Sequence, residues 1–243
     1  MVTYIWAHRG SRLRAPENTI LAYELALESG ADGIELDVHL TSDGHLVCRH
    51  DEAVDLPDGT RALIRDLTLD RLRTADVGTQ ATGPLPVPTL AEVFELMAPT
   101  TAALNIDIKN GPMLYQGIED ALIAAHRASR MPERIVYSSF NHLTLVALRE
   151  REPGVSIAPL YEEALVDPWA YALYMGADAA HPQYLTLGLS GMIEGFAASG
   201  VKVRAWTVNS DADMRALVGA GIDTIITDDP DAALAVRRES LGI

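Results

Sequence analysis

Short apolar runs recur along the chain, and between them lie segments in which apolar residues return every three or four positions. The first pattern predicts buried parallel strands and the second predicts amphipathic helices. Strands are expected at 3–8, 33–38, 102–108, 134–139, 155–160, 177–181, 201–207 and 223–227. Helices are expected at 19–29, 89–98, 112–129, 141–151, 168–175, 190–199, 211–219 and 230–239. Eight such βα units within 243 residues favour a closed (β/α)8 TIM barrel over an open doubly wound sheet, which is the alternative.

Two strands carry an unusual alternation. In "GIELDVHL" at 33–40, Ile34, Leu36, Val38 and Leu40 share one face, and Glu35, Asp37 and His39 share the other. In "LNIDIKN" at 104–110, Leu104, Ile106 and Ile108 point one way while Asn105, Asp107 and Lys109 point the other. Ser42-Asp43-Gly44 follows the second strand too closely for a parallel crossover, so 45–50 is expected as an antiparallel return strand that brings His50 near Glu35 and Asp37. Residues 52–88 form the one long connection, rich in turn residues, with a short helix expected near 68–74. A loop of that length in a compact barrel is usually functional, and this one is expected to cover part of the mouth. The first helix is expected to be capped by Asn18, to stop at Gly30 and to carry a Leu21/Leu25 stripe; Ser210 is expected to cap 211–219.

Composition narrows the function classes. The chain is 48% hydrophobic and carries a formal net charge of −15, from 19 Lys and Arg against 34 Asp and Glu. That balance argues against a nucleic-acid partner, whose affinity comes largely from neutralising phosphates. The single cysteine, Cys48, is expected as a buried strand residue. No apolar segment reaches membrane-spanning length, no basic amphipathic helix suggests stable membrane association, and the N-terminus lacks a secretory pattern, so a cytoplasmic location is expected.

In a (β/α)8 barrel the active site lies at the C-terminal ends of the strands. Those ends present His8-Arg9, Glu35 and Asp37, Asp107 and Lys109, Ser138-Ser139-Phe140, His181, Trp206 to Asn209, and Asp228. Three inward carboxylates crowded at low dielectric repel one another unless a cation compensates, and all-oxygen ligation suits Mg2+ or Ca2+. The plainer reading is that these carboxylates pair with lysine or arginine in the barrel layers. His39, His45, His126 and His142 are expected as surface or packing residues.

The segments "AHRGSRLRAPENTILAY" at 7–23, "DGIELDVHLTSDGHLVCRHD" at 32–51, "LNIDIK" at 104–109, "YSSFN" at 137–141, "WTVN" at 206–209 and "IITDDP" at 225–230 together resemble the glycerophosphodiester phosphodiesterase family. The resemblance spans essentially the whole chain, 1–243, as one domain with 52–88 as the insertion that shapes the glycerol side of the pocket. It implies a divalent cation held by Glu35, Asp37 and Asp107, an acid and base pair formed by His8 and His50, and phosphate contacts from Arg9 and Lys109. The reaction implied is release of sn-glycerol 3-phosphate and an alcohol from a small-molecule glycerophosphodiester. One position departs from the family pattern: the third ligand is commonly glutamate, and the shorter Asp107 reaches an ion through water or requires a closer one. Trp206 is expected to touch substrate, with choline, ethanolamine, glycerol and inositol all open as the alcohol.

The chemistry agrees with that implication. A phosphodiester is anionic and has a poor alkoxide leaving group, so its hydrolysis needs a cation on the phosphoryl oxygens and a proton for the departing oxygen. Two histidines suit the proton transfers, having unperturbed pKa values of about 6.5. The alternatives are an enzyme acting on lysolipids and a catalytically silent barrel that binds phosphodiesters. Oligomeric state is not legible.

Overall fold

The computed structural model describes residues 2–111 and 113–242. Among the described residues, eleven strands form: β1 (Tyr4–His8), β2 (Gly33–Leu40), β3 (Leu46–Cys48), β4 (Ala53–Asp55), β5 (Arg61–Leu63), β6 (Ala103–Ile108), β7 (Ile135–Ser139), β8 (Ser156–Tyr161), β9 (Ala179–Pro182), β10 (Lys202–Ala205) and β11 (Thr224–Thr227). The helices are α1 (Ile20–Glu28), α2 (Leu69–Leu72), α3 (Leu90–Met97), α4 (Ile118–Ala128), α5 (His142–Arg151), α6 (Pro168–Tyr174), α7 (Met192–Ser199), α8 (Asp211–Gly219) and α9 (Pro230–Leu241).

The parallel strands run β1-β2-β6-β7-β8-β9-β10-β11, and β11 pairs back to β1, so the sheet closes into the expected (β/α)8 barrel. An open sheet would leave the outer edges of two strands unpaired, and here β1 is bonded on both sides, Trp6 to Gly33 and Trp6 to Ile226. Along β2, Ile34, Leu36 and Val38 are fully buried in the layer between barrel and helices. Each contributes about 2 kcal/mol of apolar burial. A smaller cluster of Trp6, Val136, Ala158, Ala179 and Ile226 fills the barrel interior. Gly33 lies beside Trp6 because a Cβ there would stand 2.6 Å from the indole ring. Arg204 stacks over that ring at 4.8 Å and pairs with Asp223 at 3.3 Å.

Return strand β3 pairs antiparallel with β2 through Val38 and Cys48, as the turn at Ser42-Asp43-Gly44 predicts. The connection at 52–88 is more ordered than a loop. It holds the β4–β5 hairpin and α2, and Val54, Leu56, Ile64, Leu67, Leu72 and Val87 pack with Val47 into their own apolar cluster. Those residues are spaced irregularly, so periodicity alone does not reveal the cluster. Before α3, Thr89 and Glu92 form a reciprocal capping box that sequence reading passed over.

Three local expectations need correction. The cap of α1 is Thr19, whose side chain accepts from Ala22 N, because Asn18 is committed to the barrel mouth. The buried face of α1 is Ala22, Tyr23 and Ala26, with Leu21 and Leu25 only partly covered. Helix 112–129 begins at Ile118: Gly117 is left-handed at φ 86°, and Asn110 Oδ1 holds Tyr115 N at 2.7 Å in the preceding loop. Its first expected residue, Pro112, lies outside the described residues. Gly30 at φ 86° and the Ser210 cap stand as expected. Among the described residues, no helix is long and apolar enough to cross a membrane.

His181, expected at the mouth, is fully buried instead, with Nε2 3.5 Å from Arg204 Nη1. Burial first, and then the guanidinium charge, push its pKa well below the ordinary histidine value. The unfolded chain therefore binds a proton that the native ring refuses, so stability is full above about pH 6.5 and falls as pH drops below it. Urea unfolding between pH 7 and pH 5 should show this slope in the wild type, with up to about 1.4 kcal/mol per pH unit missing from His181→Gln.

Candidate active site

The mouth at the strand C-termini gathers the charged residues of β1, β2 and β6. Parallel pairing sets Glu35 opposite His8 and Asp37 opposite Asp107, so adjacent strands deliver their polar faces at one level. Glu35, Asp37 and Asp107 are all buried, and one carboxylate oxygen from each lies within 4.8 Å of the others.

Two cations stand among them. Lys109 Nζ lies 2.7 Å from Asp37 Oδ1 and 2.6 Å from Asp107 Oδ2. Arg9 Nε lies 3.1 Å from Asp37 Oδ2, and Arg9 Nη1 donates to Glu17 at 3.1 Å. Asn18 Nδ2 also donates to Asp37 Oδ2 at 2.7 Å, while Asn18 Oδ1 accepts from Asp37 N and from the Tyr23 hydroxyl. The plainer reading of these carboxylates as ion-pair partners thus describes Asp37 well.

The electrostatic consequences differ for the three acids. Burial works to raise all of them, but at Asp37 the charges of Lys109 and Arg9 overcome it and hold the carboxyl far below its ordinary range. At Glu35, burial and then repulsion from Asp37 and Asp107 leave the pKa well above the ordinary value. Asp107 is raised by burial and by Asp37 against the pull of Lys109, and its Oδ1 is buried without a hydrogen-bond partner. Buried oxygens that repel one another while one lacks a donor fit a hard divalent cation, whose ligands are carboxylate oxygens.

The backbone around Arg9 is built for this contact. Arg9 (φ 57°) and Gly10 (φ 81°) are consecutive left-handed residues, and Arg9 N donates to Glu35 Oε2 at 3.0 Å. A Cβ on Gly10 would stand 2.7 Å from the Ala22 carbonyl carbon, which accounts for glycine after His8-Arg9.

His8 and His50 open onto the same cavity of about 260 Å3 as the acids, Arg9 and Lys109. His8 Nδ1 lies 2.6 Å from Asp228 Oδ1, a carboxylate that His8 and Asn209 help to keep below its ordinary pKa despite burial. An ionised carboxylate only accepts, so the proton sits on Nδ1 and Nε2 faces the cavity, 3.9 Å from Glu35 Oε2. Asn209 fixes Asp228 in turn, donating from Nδ2 to Oδ2 at 2.7 Å and accepting Asp228 N at Oδ1.

His50 is less enclosed, with Nδ1 3.0 Å from Asp51 Oδ1. Its backbone is held by His39, whose Nε2 contacts the His50 carbonyl at 3.1 Å and whose Nδ1 contacts the Tyr115 hydroxyl at 2.6 Å. The carbonyl accepts, so Nε2 carries the proton and Nδ1 takes the tyrosine hydrogen. Burial lowers the His39 pKa to about 4, in keeping with that neutral form. His39 is therefore more than a packing residue, and its place on the polar face of β2 was the signal. Asp228 and Asn209 gave only the weaker signal of lying after β11 and β10.

The other half of the cavity is apolar and aromatic. Trp206 donates from Nε1 to His181 O at 2.7 Å and meets Phe140 edge to face at 5.5 Å. Ser138 and Ser139 are fully buried and hydrogen-bonded at the end of β7: Ser138 Oγ accepts from Asn105 Nδ2 and Ser139 Oγ donates to Ile108 O.

A closed (β/α)8 barrel with carboxylates, cations and two histidines at one mouth has the groups that hydrolysis of an anionic ester requires. Residues 8–232 match the Glycerophosphoryl diester phosphodiesterase family. The chain is 43% identical over 242 residues to a glycerophosphodiester phosphodiesterase of Caldanaerobacter subterraneus subsp. tengcongensis, covering 98% of this chain and 99% of that one. It also resembles a phosphodiesterase of Oleispira antarctica solved with the product sn-glycerol-3-phosphate, with TM-score 0.84, 26% identity and coverage of 97% and 96%. A glycerophosphodiester phosphodiesterase from Agrobacterium tumefaciens superposes with TM-score 0.81 at 26% identity, covering 96% of this chain and 99% of that one. The chain belongs to the glycerophosphoryl diester phosphodiesterase family, a family of phosphoric diester hydrolases.

Removing Asp228 should release the His8 ring. Long-range 15N–1H spectra are expected to show the Nδ1–H tautomer in the wild type and a mixture in Asp228→Ala; an unchanged tautomer would contradict the orienting contact.

Proposed function

We propose that this chain hydrolyses small glycerophosphodiesters to sn-glycerol 3-phosphate and an alcohol. The observation that carries the reading is the convergence of His8, His50, Arg9 and Lys109 on one cavity with Glu35, Asp37 and Asp107. Family membership and the product complex of the Oleispira antarctica relative support the same reaction.

Glu35, Asp37 and Asp107 would hold one divalent cation, Mg2+ or Ca2+, which withdraws electron density from the phosphoryl oxygens when bound. Arg9 and Lys109 contact the phosphate and offset the charge of the acids, and the fixed guanidinium and ammonium need no reorganisation as charge develops. One of His8 and His50 takes a proton from the attacking hydroxyl, and the other supplies one to the departing alkoxide. Asp228 keeps the His8 Nε2 aimed at that exchange, and His39 keeps the backbone of His50 in place.

Residues 1–243 act as one domain in this reading, with 52–88 shaping the mouth and Trp206 walling the pocket. Glu52, at the start of that insertion, lines a compartment of about 80 Å3 that shares His50, Asp107, Lys109 and Phe140 with the main cavity, and in this reading it lies on the glycerol side of the pocket. The acidic balance and the soluble diester favour no nucleic-acid partner, no stable membrane association and a cytoplasmic location.

Glycerol 3-phosphate release from glycerophosphocholine and glycerophosphoethanolamine tests the reading. Metal-stripped protein should be inactive, and Mg2+ or Ca2+ should restore turnover and raise the melting temperature, a rise that Asp107→Ala should largely abolish. His8→Ala and His50→Ala should each fold normally and lose about 10²–10⁴-fold in kcat. Near-wild-type rates in both would overturn the assignment.

A further inference from the structure

A run of charged side chains, Arg9, Glu17, Arg12, Asp228 and His8, passes along one side of the mouth. Arg9 Nη1 donates to Glu17 Oε1 at 3.1 Å, and Glu17 Oε2 lies 2.7 Å from Arg12 Nη2. Arg12 Nη1 lies 3.4 Å from Asp228 Oδ1, the same oxygen that His8 Nδ1 approaches at 2.6 Å. One guanidinium fork therefore spans two carboxylates. Each carboxylate holds a residue that lines the cavity, Arg9 in one case and His8 in the other, while Arg12 itself lies outside the lining.

The backbone of the β1–α1 connection makes this span possible. After the left-handed Arg9 and Gly10, Arg12 N donates to Gly10 O at 2.9 Å, and Arg14 N and Ala15 N both donate to Ser11 O. Asn18 N then closes the connection by donating to Arg9 O at 3.0 Å. The segment folds back on itself, which puts Glu17 beside Arg9 and brings Arg12 within reach of both Glu17 and the residue that follows β11.

The partners of each carboxylate decide where Arg12 matters most. Asp228 is fixed independently by Asn209, which donates to Oδ2 and accepts from the Asp228 N–H. Glu17 has only Arg9 and Arg12 as side-chain partners among the described residues. Arg9 is held between Asp37 on one side and Glu17 on the other, which sets the plane of its guanidinium. Without Arg12, Glu17 is free to swing and Arg9 loses one of its two supports. The side chains of Arg12, Glu17 and Asp228 are 32%, 23% and 18% exposed, so these pairs are screened less than ion pairs standing fully in solvent.

We infer that Arg12 is a positioning residue for phosphodiester hydrolysis, bracing Arg9 through Glu17 and joining that contact to the Asp228 carboxylate that orients His8. This rests on the phosphodiesterase reading and adds to it a residue outside the cavity. A guanidinium aligned in advance stabilises charge as it develops on the phosphoryl oxygens, so loosening the brace costs rate more than substrate affinity. Arg14, in the same connection, supplies the contrast. Its pair with Asp231 at 3.5 Å is exposed and leads to no residue of the cavity.

The test measures kcat and KM for release of glycerol 3-phosphate from glycerophosphocholine by the full chain with Mg2+. Arg12→Ala should fold normally and lose about tenfold in kcat, with KM changed less. Arg12→Lys, whose single ammonium reaches one carboxylate at a time, should recover part of that loss, and Arg14→Ala should keep the wild-type kcat. Glu17→Gln should lose a similar amount, and the double variant Arg12→Ala, Glu17→Gln should fall no further than the worse single, because both act on Arg9 in series. The guanidinium 15N–1H spectrum of Arg9 should show restricted Nη rotation in the wild type and freer rotation in Arg12→Ala. Wild-type kcat in Arg12→Ala, or losses that multiply in the double variant, would overturn this inference and leave the phosphodiesterase reading intact. Failure of the wild type to release glycerol 3-phosphate would overturn both.

Discussion

The ion pairs of Asp37 hold this molecule's mouth together. A carboxylate this deeply buried is costly unless it is paired and hydrogen-bonded, and Asp37 is both, through Lys109, Arg9 and Asn18. Arg9 and Asn18 come from the two ends of the connection between β1 and α1, and Lys109 comes from just after β6. Asp37 therefore ties two connections to one point. The same contacts keep Arg9 and Lys109 in place at the wall of the cavity, so the electrostatic pairing that permits burial also positions the cations beside the site.

Glu35 and Asp107 carry the opposite consequence. With the strongest pairing spent on Asp37, they remain burdened by burial and mutual repulsion, and their pKa values rise instead of falling. A barrel mouth that stabilises one acid and leaves two strained is primed for a cation from solution. The bulk charge of −15 matters little here, because screening over roughly 10 Å leaves the local charges in control. The histidines are arranged by neutral and charged hydrogen bonds alike. Asp228 and Asn209 orient one, and His39 with Tyr115 supports the backbone of the other.

The insertion at 52–88 is a compact unit of structure with its own apolar cluster, and Val47 of β3 packs into that cluster as well. That packing braces the return strand from outside while β2 braces it from inside. His50, two residues beyond β3, is thereby carried on a short segment held from both sides.

Much of this was legible in the residues. Strict alternation along β2 and β6 separates faces by the geometry of an extended chain, so the inward placement of Glu35, Asp37, Asp107 and Lys109 followed without tertiary information. The tight turn after β2 likewise required an antiparallel return, which brought His50 toward the acids. Strand and helix positions followed from apolar spacing, with the cap of α1 shifting because Asn18 is claimed by Asp37 on β2, and the start of α4 shifting where the Asn110–Tyr115 hydrogen bond holds a loop. The folded insertion, the buried side of α1, the orientation of His8 by Asp228 and the inward burial of His181 were not legible. Local periodicity reports which face of one element is apolar, whereas these features arise between groups as much as 220 residues apart, brought together by closure of the barrel between β1 and β11.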